Sequence, residues 1–221
     1  MSTEKIKVFI VDDHPVVIAG LASIINADPR FEVTGSAETI NSSVEQIRDK
    51  NIHLVIIDIS LKKNESGLDL VKTLKNESNP PLMLVMSRYE ENIYAERALK
   101  AGARGYLMKD EAGEKIISAI ETILAGKLYL KEELASQILN KIFVMGVDEA
   151  EDTVSLLTSR ELQVYEMIGR GLSTREIAEK LLLSVSTIET HSQNIKEKLG
   201  LKNARELTKN AVQWVLSSQN N

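Results

Sequence analysis

The sequence has no cysteine, only three histidines and no long uncharged hydrophobic run. The missing cysteines exclude disulfide scaffolds, thiol catalysis and cysteine zinc sites, and three scattered histidines argue against a metal site built from imidazoles. Any metal is therefore expected on oxygen ligands. No segment reaches the roughly eighteen apolar residues that a membrane helix needs, and the N-terminus enters a strand pattern directly. We expect a cytoplasmic protein with no membrane partner.

Charge is distributed unevenly along the 221 residues, although the net charge is -5. Residues 1–146 carry -3, residues 147–154 carry -4, and residues 155–221 carry nine basic and seven acidic side chains, or +2. A chain of this length accommodates one domain and a smaller second one. We predict a first domain at 1–126, a linker helix and acidic linker at 127–151, and a second domain at 152–216.

Five short apolar runs alternate with amphipathic segments in the first domain. The predicted strands are Ile6 to Val11, Phe31 to Ala37, Leu54 to Ile57, Leu82 to Met86 and Tyr106 to Met108. Several runs are apolar at consecutive positions, which is typical of parallel strands covered by helices on both faces. We therefore predict an α/β fold with a doubly wound, five-stranded parallel sheet.

Polar residues follow the carboxyl ends of these strands, where ligands bind in such sheets. Asp12 and Asp13 follow the first strand, Asp58 the third, Ser87 the fourth and Lys109 the fifth. Carboxylates that converge there would repel one another unless a hard cation lay between them, and Mg²⁺ suits such ligands. The expected magnesium ligands are the carboxylates of Asp12, Asp13 and Asp58 and the backbone carbonyl of Ser60.

With Asp12 and Asp13 holding the metal, Asp58 is free to act as a carboxylate nucleophile toward a phosphoryl donor. The ammonium of Lys109 and the hydroxyl of Ser87 would hold oxygens of the transferred group. The expected product is an aspartyl phosphate.

Together with Tyr106, these residues in this order and spacing resemble the complete site of the response regulator receiver family, over residues 5–126. The resemblance implies a flavodoxin-like strand order of 2-1-3-4-5, phosphorylation of Asp58 by a sensor histidine kinase, and no enzymatic turnover beyond slow autodephosphorylation. It also implies that Ser87 and Tyr106 act as the switch. His14-Pro15 matches the subfamily with C-terminal DNA-binding domains, and Pro15 is expected to open the first helix.

Two positions depart from the receiver pattern. Lys62 stands where the family commonly has proline, and the loop reaches Gly67 one residue later than usual, which could alter phosphate lifetime or kinase docking. Lys109 is followed by Asp110 where proline is frequent. From the sequence, both the cis and the trans form of the peptide bond between them stay open.

The second domain shows repeated helix-start signals, in which a capping residue precedes a glutamate by three positions. These signals begin at Thr158, Ser173 and Asn203, and a further helix is predicted from Ser184 to Leu199. The result is a small all-α domain of four helices with a helix-turn-helix at 173–199.

The helix that starts near Ser184 is the candidate recognition helix. A wheel places Ile188, His191, Ser192, Ile195 and Leu199 on the inner face, and Ser186, Thr190, Gln193 and Glu197 on the outer face. Small and amide side chains suit base edges in the major groove, whereas basic side chains suit phosphates. The predicted DNA-binding residues are Thr174, Arg175, Ser186, Thr187, Glu189, Thr190, Gln193, Lys196 and Lys198, with Lys202 as a further phosphate contact.

The segment LTSRELQVYEMIGRGLSTREIAEKLLLSVSTIETHSQNIKEKLG resembles the LuxR-type helix-turn-helix over residues 152–216, so the whole chain is similar to the NarL/FixJ group of regulators. The implied partners are double-stranded DNA and, on activation, a second copy of the chain. Glu189 and Gln193 replace residues that are often basic, so weak binding by the monomer is expected. The resemblance implies a dimer contact through Leu207, Ala211, Trp214 and Val215, while packing within the domain is an equal alternative.

Two other functions stay open from the sequence. One is a constitutive DNA-binding regulator, although it would have no use for the complete set of phosphorylation residues. The other is a phosphatase with an aspartyl intermediate, which usually has a second acid two residues after the nucleophile, where this chain has Ser60.

Overall fold

The structure, a computed structural model, describes residues 4–61, 65–88, 91–145 and 153–219. The chain forms two compact units, Met1–Ile138 and Leu139–Asn221. Lys62 and the acidic segment 146–152 lie outside the described residues. In the part of the chain that is described, no helix is both long and apolar enough to cross a membrane.

The first unit contains a five-stranded, all-parallel sheet with the order β2-β1-β3-β4-β5, which confirms the predicted fold and strand order. The strands are β1 (Ile6–Val11), β2 (Phe31–Ala37), β3 (Leu54–Asp58), β4 (Leu82–Ser87) and β5 (Gly105–Met108). The central strand β3, with the sequence LVIID, is buried at every position. This burial on both faces explains why the run lacks polar alternation.

Helices connect the strands and enclose the sheet. They are α1 (Pro15–Ala27), α2 (Ile40–Asp49), α3 (Gly67–Lys75), α4 (Glu91–Ala101) and α5 (Ala112–Leu124), followed by α6 (Glu132–Met145). Pro15 is the first residue of α1, as predicted, because its missing N–H has no helical partner at that position. Gly126, just after α5, has a φ of 77°, which suits a glycine after a helix end.

The first residue of α3, Gly67, lies very close to the end of β3. The N–H of Gly67 donates to the carbonyl of Ile59 at 2.8 Å. A Cβ at position 67 would overlap the carbonyl oxygen of Asp58. Gly67 therefore allows α3 to begin directly against the residue at the end of β3.

The second unit is helical, in agreement with the prediction. After a short 3₁₀ turn at Thr153–Leu156 come α7 (Ser159–Gly169), α8 (Thr174–Leu181), α9 (Val185–Leu199) and α10 (Ala204–Gln219). Capping boxes begin α7 at Thr158 and α8 at Ser173, and Gly200 ends α9 with a φ of 66°. Each predicted helix start is thus confirmed.

Candidate functional site

The carboxyl ends of β1, β3 and β5 meet at one edge of the sheet and bring their acidic and basic residues together. Asp12 directly follows β1, Asp58 is the last residue of β3, and Lys109 directly follows β5. The ammonium Nζ of Lys109 lies 2.6 Å from Oδ2 of Asp12 and 2.7 Å from Oδ2 of Asp58. All three side chains are at most 6% exposed, so this cation bridges two buried carboxylates.

Burial controls the protonation of Asp58. Desolvation, with a smaller contribution from the charge of Asp12, raises the pKa of Asp58 to about 6, although Lys109 and the N–H of Ser60 oppose the rise. Without Lys109 the two carboxylates would face each other with no compensating charge. The pocket therefore holds an ionised but poorly solvated carboxylate at neutral pH.

Asp13 and His14 complete the open side of the pocket. Nδ1 of His14 lies 3.1 Å from Oδ1 of Asp12 and 2.6 Å from Oδ1 of Asp13. The second approach lacks hydrogen-bond geometry, so the buried Oδ1 of Asp13 has no hydrogen-bond partner among the described residues. Ligand atoms from Asp12, Asp13, His14 and Asp58 all lie within 4.8 Å of one another. Such a donor set, with one unsatisfied carboxylate oxygen, fits a divalent cation.

The predicted switch residues lie beside this pocket. Ser87 ends β4 and is fully buried, and its carbonyl accepts a hydrogen bond from the N–H of Lys109 at 2.8 Å. Tyr106, in β5, is 1% exposed, so its ring is already turned inward. Ser60 is connected to Ser66 by an isolated antiparallel bridge across the loop after β3.

The second unit presents the predicted recognition helix, α9, with the expected faces. Ile188 and Ile195 are fully buried, and Ser186, Thr190 and Gln193 are exposed. Among the other predicted DNA contacts, Thr174, Arg175 and Glu189 are exposed, whereas Thr187 and Lys196 are partly buried. The turn before α9 consists of Leu182 to Ser184, and Leu182 is 91% exposed.

A polar network that the sequence patterns missed connects α7 to both helices of the helix-turn-helix. The guanidinium of Arg160 donates to Oε1 of Gln163 at 2.7 Å and to the carbonyl of Leu181, at the end of α8, at 3.2 Å. The next residue, Glu161, accepts from Nζ of Lys198 in α9 at 2.6 Å. Burial alone would raise the pKa of Glu161, but the bonds from Lys198 and Thr158 hold it below its usual range. The only sequence signal for these contacts was the capping box, which accounts for Glu161 as a cap and not as an ion-pair partner.

This network changes the interpretation of one predicted DNA contact. Lys198 was expected to meet a phosphate, but its ammonium is engaged by buried Glu161. A phosphate contact by Lys198 would therefore compete with this ion pair, and its role in DNA binding stays a prediction.

The predicted dimer residues lie in α10, which packs within the helical domain. Leu207, Ala211 and Val215 are at most 7% exposed in the packing of α10 within the domain. The ring of Trp214 lies 5.5 Å from the ring of Tyr165, whose hydroxyl donates to Asn210. These side chains therefore pack within the domain, which is the alternative that the sequence left open.

A doubly wound sheet whose strand ends gather three aspartates and a lysine, followed by a helix-turn-helix domain, is the architecture of a response regulator with a DNA-binding output domain. The model for the response regulator receiver domain matches residues 8–121, and the model for bacterial regulatory proteins of the luxR family matches residues 155–211. The chain belongs to the response regulator family and to its NarL/FixJ group of transcription factors.

Relatives of similar length support this assignment. The oxygen regulatory protein NreC of Staphylococcus carnosus is 31% identical over 210 residues, which cover 93% of this chain and 96% of NreC. The response regulator ChrA of a heme-sensing two-component system is 30% identical with a TM-score of 0.50, covering 96% of this chain and 98% of ChrA. RcsB from Salmonella enterica serovar Typhimurium, bound to promoter rprA in the presence of the phosphomimetic BeF3-, is 24% identical with a TM-score of 0.57 and supports the fold alone. That alignment covers 93% of this chain and 98% of RcsB.

Proposed function

We propose that Asp58 accepts a phosphoryl group from a sensor histidine kinase and that the phosphorylated chain binds DNA as a homodimer. The observation that carries the proposal is the ammonium of Lys109, which bridges the buried carboxylates of Asp12 and Asp58 at 2.6 and 2.7 Å. A buried carboxylate that one movable cation keeps ionised is a poised nucleophile. The receiver is proposed to span 1–126 and the DNA-binding domain 152–216, joined by the linker at 127–151.

For phosphoryl transfer, the protein mainly has to position the reactants and stabilise negative charge. A carboxylate oxygen of Asp58 forms a P–O bond as the P–N bond to the donor histidine breaks, and the imidazole nitrogen keeps the electron pair. Lys109 then faces an acyl phosphate where it had faced a carboxylate. Its flexible side chain would follow the added negative charge, together with the hydroxyl of Ser87, while Tyr106 would fill the space behind them.

A divalent cation fits beside this reaction centre. Asp12, Asp13, Asp58 and the carbonyl of Ser60 would hold Mg²⁺, and the unsatisfied Oδ1 of Asp13 supports this assignment. When bound, the ion neutralises charge on the transferring phosphoryl oxygens. Asp12 thus has two functions, since it binds Lys109 through Oδ2 and has Oδ1 on the side of Asp13 and His14.

DNA binding is assigned to the exposed face of α9. Ser186, Thr190 and Gln193 would meet base edges, while Arg175 and Lys196 would meet phosphates. Arg175 is 85% exposed, and among the described residues it pairs only with Glu179 at i,i+4, a contact that costs little to break. A net charge of +2 over residues 155–221 gives weak attraction, so two copies on paired half-sites are required for firm binding. Because its target is DNA, the protein would act in the cytoplasm.

The test compares wild type with Asp58→Asn and, as a matched control, Asp69→Asn at an exposed position of helix α3. Each protein is treated with acetyl phosphate and Mg²⁺, analysed by mass spectrometry and then used in gel-shift titrations. We expect a phosphoryl mass gain and tighter DNA binding for wild type and Asp69→Asn, and neither for Asp58→Asn. If Asp58 shows no mass gain, or if phosphorylation leaves the DNA affinity unchanged, the proposed control of DNA binding by phosphorylation is wrong.

The same experiments distinguish the alternatives. A constitutive regulator would bind DNA equally in all samples. A phosphatase would release phosphate catalytically from small phosphate esters, but Ser60 lacks the acid group that this chemistry usually has two residues after the nucleophile. We therefore propose no turnover beyond slow loss of phosphate from Asp58.

A further inference from the structure

His14 lies at the open side of the acidic pocket, and the proposed phosphorylation reaction does not use it. It is half-exposed, whereas Asp12, Asp58 and Lys109 are buried. Its backbone N–H donates to Oδ1 of Asp12 at 2.9 Å, which fixes the residue against the pocket. The ring is held at the same oxygen, because its Nδ1 also hydrogen-bonds to Oδ1 of Asp12 at 3.1 Å.

The pocket has two chemically different sides. Lys109 takes the Oδ2 atoms of Asp12 and Asp58. The Oδ1 atoms of Asp12 and Asp13 lie 3.1 and 2.6 Å from Nδ1 of His14. The oxygens that remain for a cation thus share their surroundings with an imidazole nitrogen.

We propose that His14 is a nitrogen ligand to the ion held by Asp12, Asp13 and Asp58, and that it shifts the site toward first-row transition-metal cations. This inference rests on the proposed metal-dependent phosphoacceptor site and replaces the expectation of oxygen ligands alone. Imidazole binds cobalt, nickel and zinc far better than it binds magnesium, which prefers carboxylate, carbonyl and water. Without a cation, Nδ1 donates its hydrogen to Oδ1 of Asp12 at 3.1 Å. A bound cation would displace this proton, which leaves the neutral ring protonated on Nε2 and the lone pair of Nδ1 available to the ion.

The unsatisfied Oδ1 of Asp13 supports the same arrangement. It is buried next to Nδ1 without a hydrogen bond between them. A cation that both atoms bind would satisfy this carboxylate oxygen. The rate at which Asp58 gains or loses phosphate then depends on which divalent ion is present.

The test uses the full chain with Mn²⁺, Co²⁺ or Mg²⁺ added alone, and the variant His14→Gln, which replaces the nitrogen by an amide of similar reach. The control is His53→Gln, because Nδ1 of His53 accepts from the N–H of Lys7 far from the metal-facing carboxylates, and an amide oxygen can take that bond. Pulsed electron paramagnetic resonance of the Mn²⁺ form detects a directly bound nitrogen. Calorimetry gives the affinities for Co²⁺ and Mg²⁺, and circular dichroism verifies folding.

We expect a nitrogen coupling in wild type and His53→Gln that disappears in His14→Gln. The affinity for Co²⁺ should fall about tenfold or more in His14→Gln, since even outer partners of metal ligands contribute that much, whereas the affinity for Mg²⁺ changes little. If wild type binds Mn²⁺ without nitrogen coupling, and His14→Gln leaves the Co²⁺ to Mg²⁺ ratio unchanged, His14 is not a ligand and the phosphoacceptor site stands without it. If wild type binds none of the three ions, the inference and the proposed metal site both fall.

Discussion

Replacing Lys198 by methionine should destabilise the DNA-binding domain strongly, because it leaves Glu161 buried without its cation. The Glu161 side chain is only 5% exposed, and its Oε2 lies 2.6 Å from Nζ of Lys198. Removing one partner of a fully buried pair costs about 3–5 kcal/mol. Since the Lys198 side chain is 36% exposed, solvent screens part of this interaction, and we expect a loss of about 2 kcal/mol.

The single tryptophan of the chain makes this loss measurable in the intact protein. Trp214 packs against Tyr165 inside the helical unit, so its fluorescence reports the unfolding of that domain. For a domain of this size, about 2 kcal/mol corresponds to a decrease in Tm of roughly 8–16 °C. Lys196→Met is the matched control, because Lys196 is in the same helix and forms no ion pair within the described ranges. It should change stability by less than about 0.5 kcal/mol.

The dependence on pH tests the cause of the effect. The pKa of folded Glu161 is lowered, so the ion pair stabilises the domain above the ordinary value of 4.5, and this contribution is lost as the pH falls through the folded pKa. The difference between wild type and Lys198→Met should therefore narrow as the pH decreases from about 7 to about 4, since a protonated Glu161 needs no cation. Equal Tm values for the two lysine variants at about pH 7, or a gap that widens in acid, would refute the reasoning.

Three further predictions concern other groups of the chain. In metal-free protein, carboxyl carbon-13 NMR should give Asp58 a pKa of about 6, because burial disfavours its charge. Lys109→Met should raise this pKa further, since the neighbouring cation is lost. A pKa of Asp58 near the usual value for aspartate would contradict both expectations. Burial, more than the positive charge of Arg160, lowers the pKa of His191 below 6.5. The helical domain should therefore lose stability as the pH falls below about 6.5. His191→Phe should abolish that loss in thermal melts followed by tryptophan fluorescence. An unchanged acid slope in the variant would exclude His191 as its source. Gly67→Ala should lower the thermal midpoint of the receiver, followed by circular dichroism, since a Cβ would overlap the Asp58 carbonyl. Gly113→Ala is the control and should not lower the midpoint, because a Cβ there meets open space. Similar midpoints for the two variants would contradict the close approach of Gly67 to the end of β3.

Local chemistry was sufficient for predicting the elements and much of the site. Buried parallel strands are apolar at consecutive positions, so a run such as LVIID can be assigned as a strand from the sequence alone. Helix starts are equally local, because a cap and its glutamate are three residues apart in the chain, as at Thr158 and Ser173. The strand-end rule then brings Asp12, Asp58 and Lys109 together, since parallel strands all end at one edge of the sheet.

Only the tertiary structure decided the contacts between residues distant in sequence. Glu161 and Lys198 are 37 positions apart, and which lysine approaches a buried glutamate depends on how α7 packs on α9. For the same reason, the sequence pattern of Leu207, Ala211 and Val215 fits a dimer face and a domain core equally well. The packing of α10 inside the domain places them in the core. Asp13 and His14 are adjacent in sequence, yet the distance between their side chains also depends on the conformation of the loop after β1. A sequence specifies which groups are available, but their partners are selected by close packing in three dimensions.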